Sequence, residues 1–212
     1  MKTSFLLIAL SLALLVFKPL TNKTAGGKIF APPENLDLTH FGFNLVLSDL
    51  LWLDFIQHNF ECSPYGEDGA CTKRWGFNVL EEATQLDPKF LYPYLHGGVQ
   101  LSVINGDHKG AASLFERGIQ SIDDKWQLFY RAAYINMIEL DDDEKAAGYL
   151  VTAASLGAPQ WTRSLASKLY TKVGKAELSY RTLYDLYSET EAGPWRDDLK
   201  KRLDELSLEL NP

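Results

Sequence analysis

A recurrence of about 35 residues runs through most of the sequence. Large aromatics stand at Phe90, Trp126, Trp161 and Trp195, separated by 36, 35 and 34 residues. Between them a second set recurs. Gly106-Asp107 precedes Ala111, Phe115 and Gly118; Asp141-Asp142 precedes Ala146, Leu150 and Ala153; Gly174-Lys175 precedes Ser179, Leu183 and Leu186. Small residues, Gly98, Ala133 and Ala166, lie eight positions before each turn. A unit of this length cannot cover its own apolar face, so successive units must stack on one another.

The markers have a physical logic. Gly98 and Ala133 let two helices approach closely, Gly106 or Asp141 turns the chain, and Ala111 or Ala146 packs back on the first helix. Pro88 and Pro159 break the chain between units. Helices are expected near 74–86, 90–104, 108–121, 125–139, 143–155, 160–172 and 175–188. Asn44–Asn59 forms another, apolar nearly all round and therefore expected to be buried. Trp195–Leu210 repeats Leu199, Leu203, Leu206 and Leu210 on one face, as a capping helix does. No stretch alternates as a strand would, so the fold class is all-α.

These features resemble the tetratricopeptide repeat, a helix-turn-helix unit of about 34 residues. The segment FNVLEEATQLDPKF fits its second helix, with Leu80, Ala83 and Pro88 in place. The resemblance covers roughly residues 43–195. It implies an αα-hairpin solenoid of three to four repeats over 43–194, closed by a cap at 195–212, that binds a protein partner along its first helices.

Residues 1–28 read as a leader and 29–42 as a linker. Phe5–Phe17 is a run of thirteen uncharged residues between Lys2 and Lys18, short for a spanning helix and typical of a secretory core. It reads as an uncleaved anchor extended by its flanks or as a cleaved leader, with Thr24-Ala25-Gly26 the best site available. Either reading places the bulk of the chain outside the cytoplasm, in a cell envelope and on the periplasmic side of a bacterial inner membrane. Two cysteines, Cys62 and Cys71, sit in a Pro- and Gly-containing stretch nine residues apart. That is not redox CxxC spacing; a structural disulfide suits an oxidising compartment, with two free thiols as the alternative.

Charge and motif content bound the function. Lys and Arg total 21 against 28 Asp and Glu, a net of -7 that disfavours nucleic acid. The 46% apolar and 23% charged content excludes long-range disorder. No zinc-protease, nucleophile-elbow or phosphate-loop motif is present, so no catalytic residue, metal or cofactor is assigned. Asp141-Asp142-Asp143-Glu144 lacks calcium-loop spacing and reads as a turn leading into a helix N-terminus. Asp49 and Asp54 lie about 500° apart around their helix. One is expected to face solvent and the other to bond an Arg or a backbone end of the next helix.

Two frames locate the binding face. Taking the small residue as fixed point gives Tyr92, Leu95 and Val99, then Tyr130, Tyr134 and Met137, then Arg163, Ser167 and Tyr170. This is an apolar, tyrosine-rich groove suited to a partner peptide or helix. Taking the turn glycine instead exposes His96, Gln100, Arg131, Lys168 and Lys172, a basic groove suited to carboxylates. The first frame is preferred, because the small residue governs helix contact. Tyrosines also stack on sugars, so a glycan or small ligand is the alternative occupant, and an enzyme using Asp49 and His58 is a more distant one.

Overall fold

The computed structural model describes residue 29 and residues 42–65 and 71–210. The proposed leader, most of the linker and the middle of the cysteine loop lie outside these residues. The chain divides into two compact units, the first reaching to Leu86 and the second beginning at Asp87. Among the described residues every regular element is helical, and the one β-type contact is an isolated bridge between Ile29 and Cys71.

The first unit is one helical hairpin. Helices α1 (Asn44–His58) and α2 (Trp75–Leu86) pack through Leu51, Phe55, Trp75, Val79, Leu80 and Ala83, all with almost no exposed surface. The Phe55 and Trp75 rings stack with centroids 6.1 Å apart. Buried Ser48 donates from Oγ to the Ala83 carbonyl at 2.8 Å, so a polar group facing α2 is satisfied. Cys62 and Cys71 are joined, tying the end of α1 to the approach to α2.

Full burial of α1 is not observed. Among the described residues of this unit α2 covers one side of α1, and Phe43, Leu45, Val46, Leu50, Leu53, Ile56 and Phe60 remain exposed. Asp49 faces solvent, as one of the two acids was expected to. Asp54 is buried, and its partner is His58, one turn on in its own helix, rather than a group in the next helix.

The second unit is a run of antiparallel neighbours. A π-helical turn, Pro93–Gly97, leads into α3 (Gly98–Val103). There follow α4 (His108–Ser121), α5 (Trp126–Ile138), α6 (Asp143–Ser155), α7 (Trp161–Lys172), α8 (Ala176–Glu189) and α9 (Pro194–Leu210). The π turn was not anticipated. It widens the helix where Pro93 supplies no N–H and where Gly98 N donates to both the Pro93 and Tyr94 carbonyls.

The repeating markers now have structural causes. Gly106, Asp141 and Gly174 all take the left-handed conformation, with φ of 67°, 53° and 72°. The next residues, Asp107 and Asp142, bond back six residues to the Leu101 and Asn136 carbonyls and close the helix end. The same two aspartates then cap the next helix, accepting from Gly110 N at 2.9 Å and Lys145 N at 3.0 Å. Asp143 and Glu144 pair with Lys172 at 2.5 Å and Lys175 at 3.5 Å, so this acidic stretch forms a turn and helix start.

Small residues sit where helices meet. Ala133, Ala146, Ala147 and Ala166 share a core cluster with Leu150, Leu169 and Tyr170. The cap packs through Leu199, Leu203 and Leu206 onto Leu183 and Leu186, while Leu210 is left partly exposed.

Candidate interaction surface

Counting from the small residue, positions six before, two before, one after and five after follow an i, i+4, i+7, i+11 stripe along one helix face. On the first helix of the second unit this stripe reads Tyr92, His96, Val99 and Val103, and on α5 it reads Gln127, Arg131, Tyr134 and Ile138. Tyr92 (58%), Val103 (69%), Tyr134 (44%) and Ile138 (51%) are well exposed, and the Tyr92 and His96 rings stack at 5.6 Å. The accessible face therefore draws on both frames: Tyr92, Val99 and Tyr134 from one, His96 and Arg131 from the other.

The remaining members of the preferred frame lie elsewhere. Leu95 is half-buried. Tyr130 and Met137 are also half-buried and pack against the alanine-rich core. Tyr170 does not face the groove as expected: it is 9% exposed, belongs to that core and offers no surface to a partner. Burial also raises its phenol pKa above the usual range, with Glu144 adding to the shift. Arg163 is paired with Glu189, and fully buried Ser167 exchanges hydrogen bonds with Ser179.

On α7 the middle of the stripe is closed. Its equivalents are Gln160, Ser164, Ser167 and Thr171; Gln160 and Thr171 stay exposed at the ends, Ser164 and Ser167 are buried, and Arg202 of α9 donates from Nη1 to Ser164 Oγ at 2.9 Å. Burial lowers the Arg202 pKa, though Asp198 and Glu205 oppose this. From the second frame, Lys168 and Lys172 are exposed, and Lys172 is held by Asp143, which raises its pKa. A shallow pocket of about 240 Å³ lies beside Lys168 and Thr171, with Arg202, Glu205, Leu206 and Glu209 as its other walls. Its mixed charge selects no single ligand.

Aromatic contacts connect the first helices. Trp126 meets Tyr130 at 6.4 Å, and Tyr130 meets Trp161 edge-on at 5.6 Å, carrying a ring ladder from α5 to α7. Trp161 is 47% exposed at the end of that ladder. The periodic aromatics of the sequence therefore mark both packing and surface. Val103 and Ile138 were missed, because each lies beyond the last residue considered on its helix.

The chemistry on this surface is that of contact. Among the described residues no cluster of His, Cys, Asp or Glu has metal-binding geometry. Asp49 and His58 are not brought together: Asp49 is exposed, and His58 Nδ1 lies 3.1 Å from Asp54 Oδ1 and 3.1 Å from the Asp54 carbonyl. His108 Nδ1 sits between Ser102 Oγ at 2.9 Å and Glu139 at 3.5 Å. No described helix is long and apolar enough to cross a membrane.

By its pairing of antiparallel helices and its repeated left-handed turns, the fold is all-α and built of TPR-like hairpins. Two solved structures are similar to it. One is the MamA protein, 14% identical, covering 79% of this chain and 88% of that one with a TM-score of 0.46. The other is a thermophilic TPR protein of Thermus thermophilus, 16% identical, covering 76% and 80% with a TM-score of 0.38. No protein-family model matches the chain, and no curated protein matches it in sequence.

Proposed function

We propose that this protein is a non-enzymatic interaction scaffold that holds a partner peptide or helix across α3 and α5, outside the cytoplasm and tethered or secreted through its leader. The observation that carries this reading is the exposed stripe Tyr92, His96, Val103, Arg131, Tyr134 and Ile138 on helices whose opposite sides are fully packed. Large aromatic and aliphatic groups on a preformed surface lose little conformational freedom on binding. The two basic members supply orientation toward a carboxylate without making the surface strongly charged. Trp161 extends the apolar strip at one end, and the Arg202–Ser164 contact sets its limit on α7.

The test is photo-crosslinking in living cells, with the probe at Tyr134 and a control at exposed Arg181 on α8. A discrete protein adduct at 134 alone supports the scaffold reading and gives the partner's mass. Equal labelling at both positions, or none at either with the protein folded, removes α5 as a partner site. In the adduct-positive case Tyr134→Ala is expected to weaken partner capture about 10-fold or more.

A further inference from the structure

The outward half of α1 is an exposed apolar face, in the other unit and apart from the stripe. At about 100° per residue, Leu45, Ile56, Asp49, Leu53, Val46, Gln57 and Leu50 of α1 fill an arc of about 140°, and Phe43 and Phe60 flank its two ends. Seven of these nine are large and apolar, and all seven are exposed, from 38% at Leu50 to 65% at Phe60. The two phenylalanines carry roughly 150–250 Å² each and the five aliphatic side chains somewhat less, so about half-exposure of all seven leaves on the order of 600 Å². That is at or above the largest apolar patch of an ordinary monomer, roughly 300–600 Å².

The sign and order of the face identify its occupant. No Lys or Arg occurs between Lys28 and Lys73, and the face itself carries Asp49, so it offers nothing to anionic lipid. Its two polar members, Asp49 and Gln57, stand four residues either side of Leu53, near the middle of the arc. An antiparallel copy with its two-fold axis at Leu53 therefore sets each Asp49 against Gln57 of the second copy. Val46 then meets Phe60, Leu50 meets Ile56, and Leu53 meets itself. A parallel pairing in register would instead set Asp49 against Asp49. The face is self-complementary in one arrangement, as an isologous interface must be.

We propose that α1 is a homodimerisation helix, packing antiparallel on α1 of a second copy about Leu53, with the Asp49 carboxylate accepting from the Gln57 amide at both ends. The five paired apolar residues of two such faces bury on the order of 900 Å², and roughly 1,200 Å² if Leu45 and Phe43 at the flanks are covered too, against the ~1,000 Å² that a specific interface needs.

The test uses the full chain in mild detergent. Because Cys62 and Cys71 are joined, a new cysteine is the only free thiol among the described residues. Leu53→Cys is expected to give a covalent dimer under mild oxidation. Leu45→Cys is expected to give none, its two copies lying about 24 Å apart along the pair at 1.5 Å per residue. By sedimentation, Leu53→Glu yields a monomer of unchanged helicity. Gln57→Asp opposes two carboxylates at each end and raises the dimer dissociation constant about 10-fold or more, and adding Asp49→Lys restores it to within about 3-fold. A wild-type monomer at about 50 µM, equal crosslinking at 45 and 53, or a dimer indifferent to Leu53→Glu each overturns the proposal.

Discussion

Gly98→Ala tests whether the repeated small residue sets the spacing of a helix pair. A Cβ built at Gly98 meets Phe115 Cζ at 2.7 Å, Cε1 at 2.8 Å and Cε2 at 3.2 Å, and Phe115 has no exposed surface. Alanine gains about 1 kcal/mol of helix propensity over glycine. Against this stands the cost of overpacking, about 1–3 kcal/mol, and the upper end applies because the obstructing atoms belong to a rigid ring sealed in the core. The net expectation is a loss of about 1–2 kcal/mol, or roughly 4–8 °C for a unit of this size. Thermal unfolding followed by circular dichroism measures it. Phe115→Leu shortens the obstructing side chain, so the double variant should be more stable than the sum of the singles predicts by about 1 kcal/mol. If Gly98→Ala raises the melting temperature, or the two changes add independently, the helix pair has slack and the small residue does not set its spacing.

Three further outcomes are expected. Asp142→Ala removes the cap of α6, whose Oδ1 accepts from Lys145 N at 3.0 Å, and should cost about 1 kcal/mol in thermal unfolding. Replacing Cys62 and Cys71 together by serine opens a short loop and should cost the first unit roughly 2–3 kcal/mol, read from denaturant unfolding in which the slope rises as the unfolded chain expands. Burial raises the Asp54 pKa above its usual value although His58 pulls it down. Stability favoured by the protonated acid is therefore full below the unfolded pKa of about 3.9 and lost as pH rises through the folded value. Asp54→Asn should accordingly melt above the parent protein at pH 7, the gap narrowing toward pH 4; a variant less stable at pH 7 would show that the His58 pairing outweighs desolvation.

Much of the fold was legible because its turns are chemically explicit. Gly106, Asp141 and Gly174 sit at positive φ, where glycine is free and aspartate is tolerated, and Asp107 and Asp142 each serve one helix end and the next helix start. Local chemistry of that kind survives in a single sequence. The π turn at Pro93–Gly97 did not show, because a single widened turn leaves no periodic mark in the residues; in the fold the buried Tyr94 ring of that turn lies against Gly118, where a Cβ would meet it at 2.9 Å. The exposure of α1 was also hidden. An all-apolar helix reads the same whether its second side meets its own chain or another molecule.

The binding face shows most clearly where sequence reasoning stops. Each frame assumed that one marker fixes the outward direction along the whole array, yet the exposed stripe takes Tyr92 and Tyr134 from one and His96 and Arg131 from the other. Positions three before and four after the small residue, such as Tyr130, Met137 and Tyr170, are drawn inward by the alanine-rich core beside them. The stripe also ends for a reason no repeat period contains. Arg202, 38 residues further along the chain, reaches back to Ser164, and Ser179 holds Ser167, so the two middle register positions, open on α5 at Arg131 and Tyr134, are sealed on α7. If the stripe is the partner site, Arg202→Ala should expose Ser164 and lengthen the usable surface by one helix. Crosslinking from a probe at Ser164 would then appear only in that variant, and its appearance in the parent protein would mean that α9 does not close the surface.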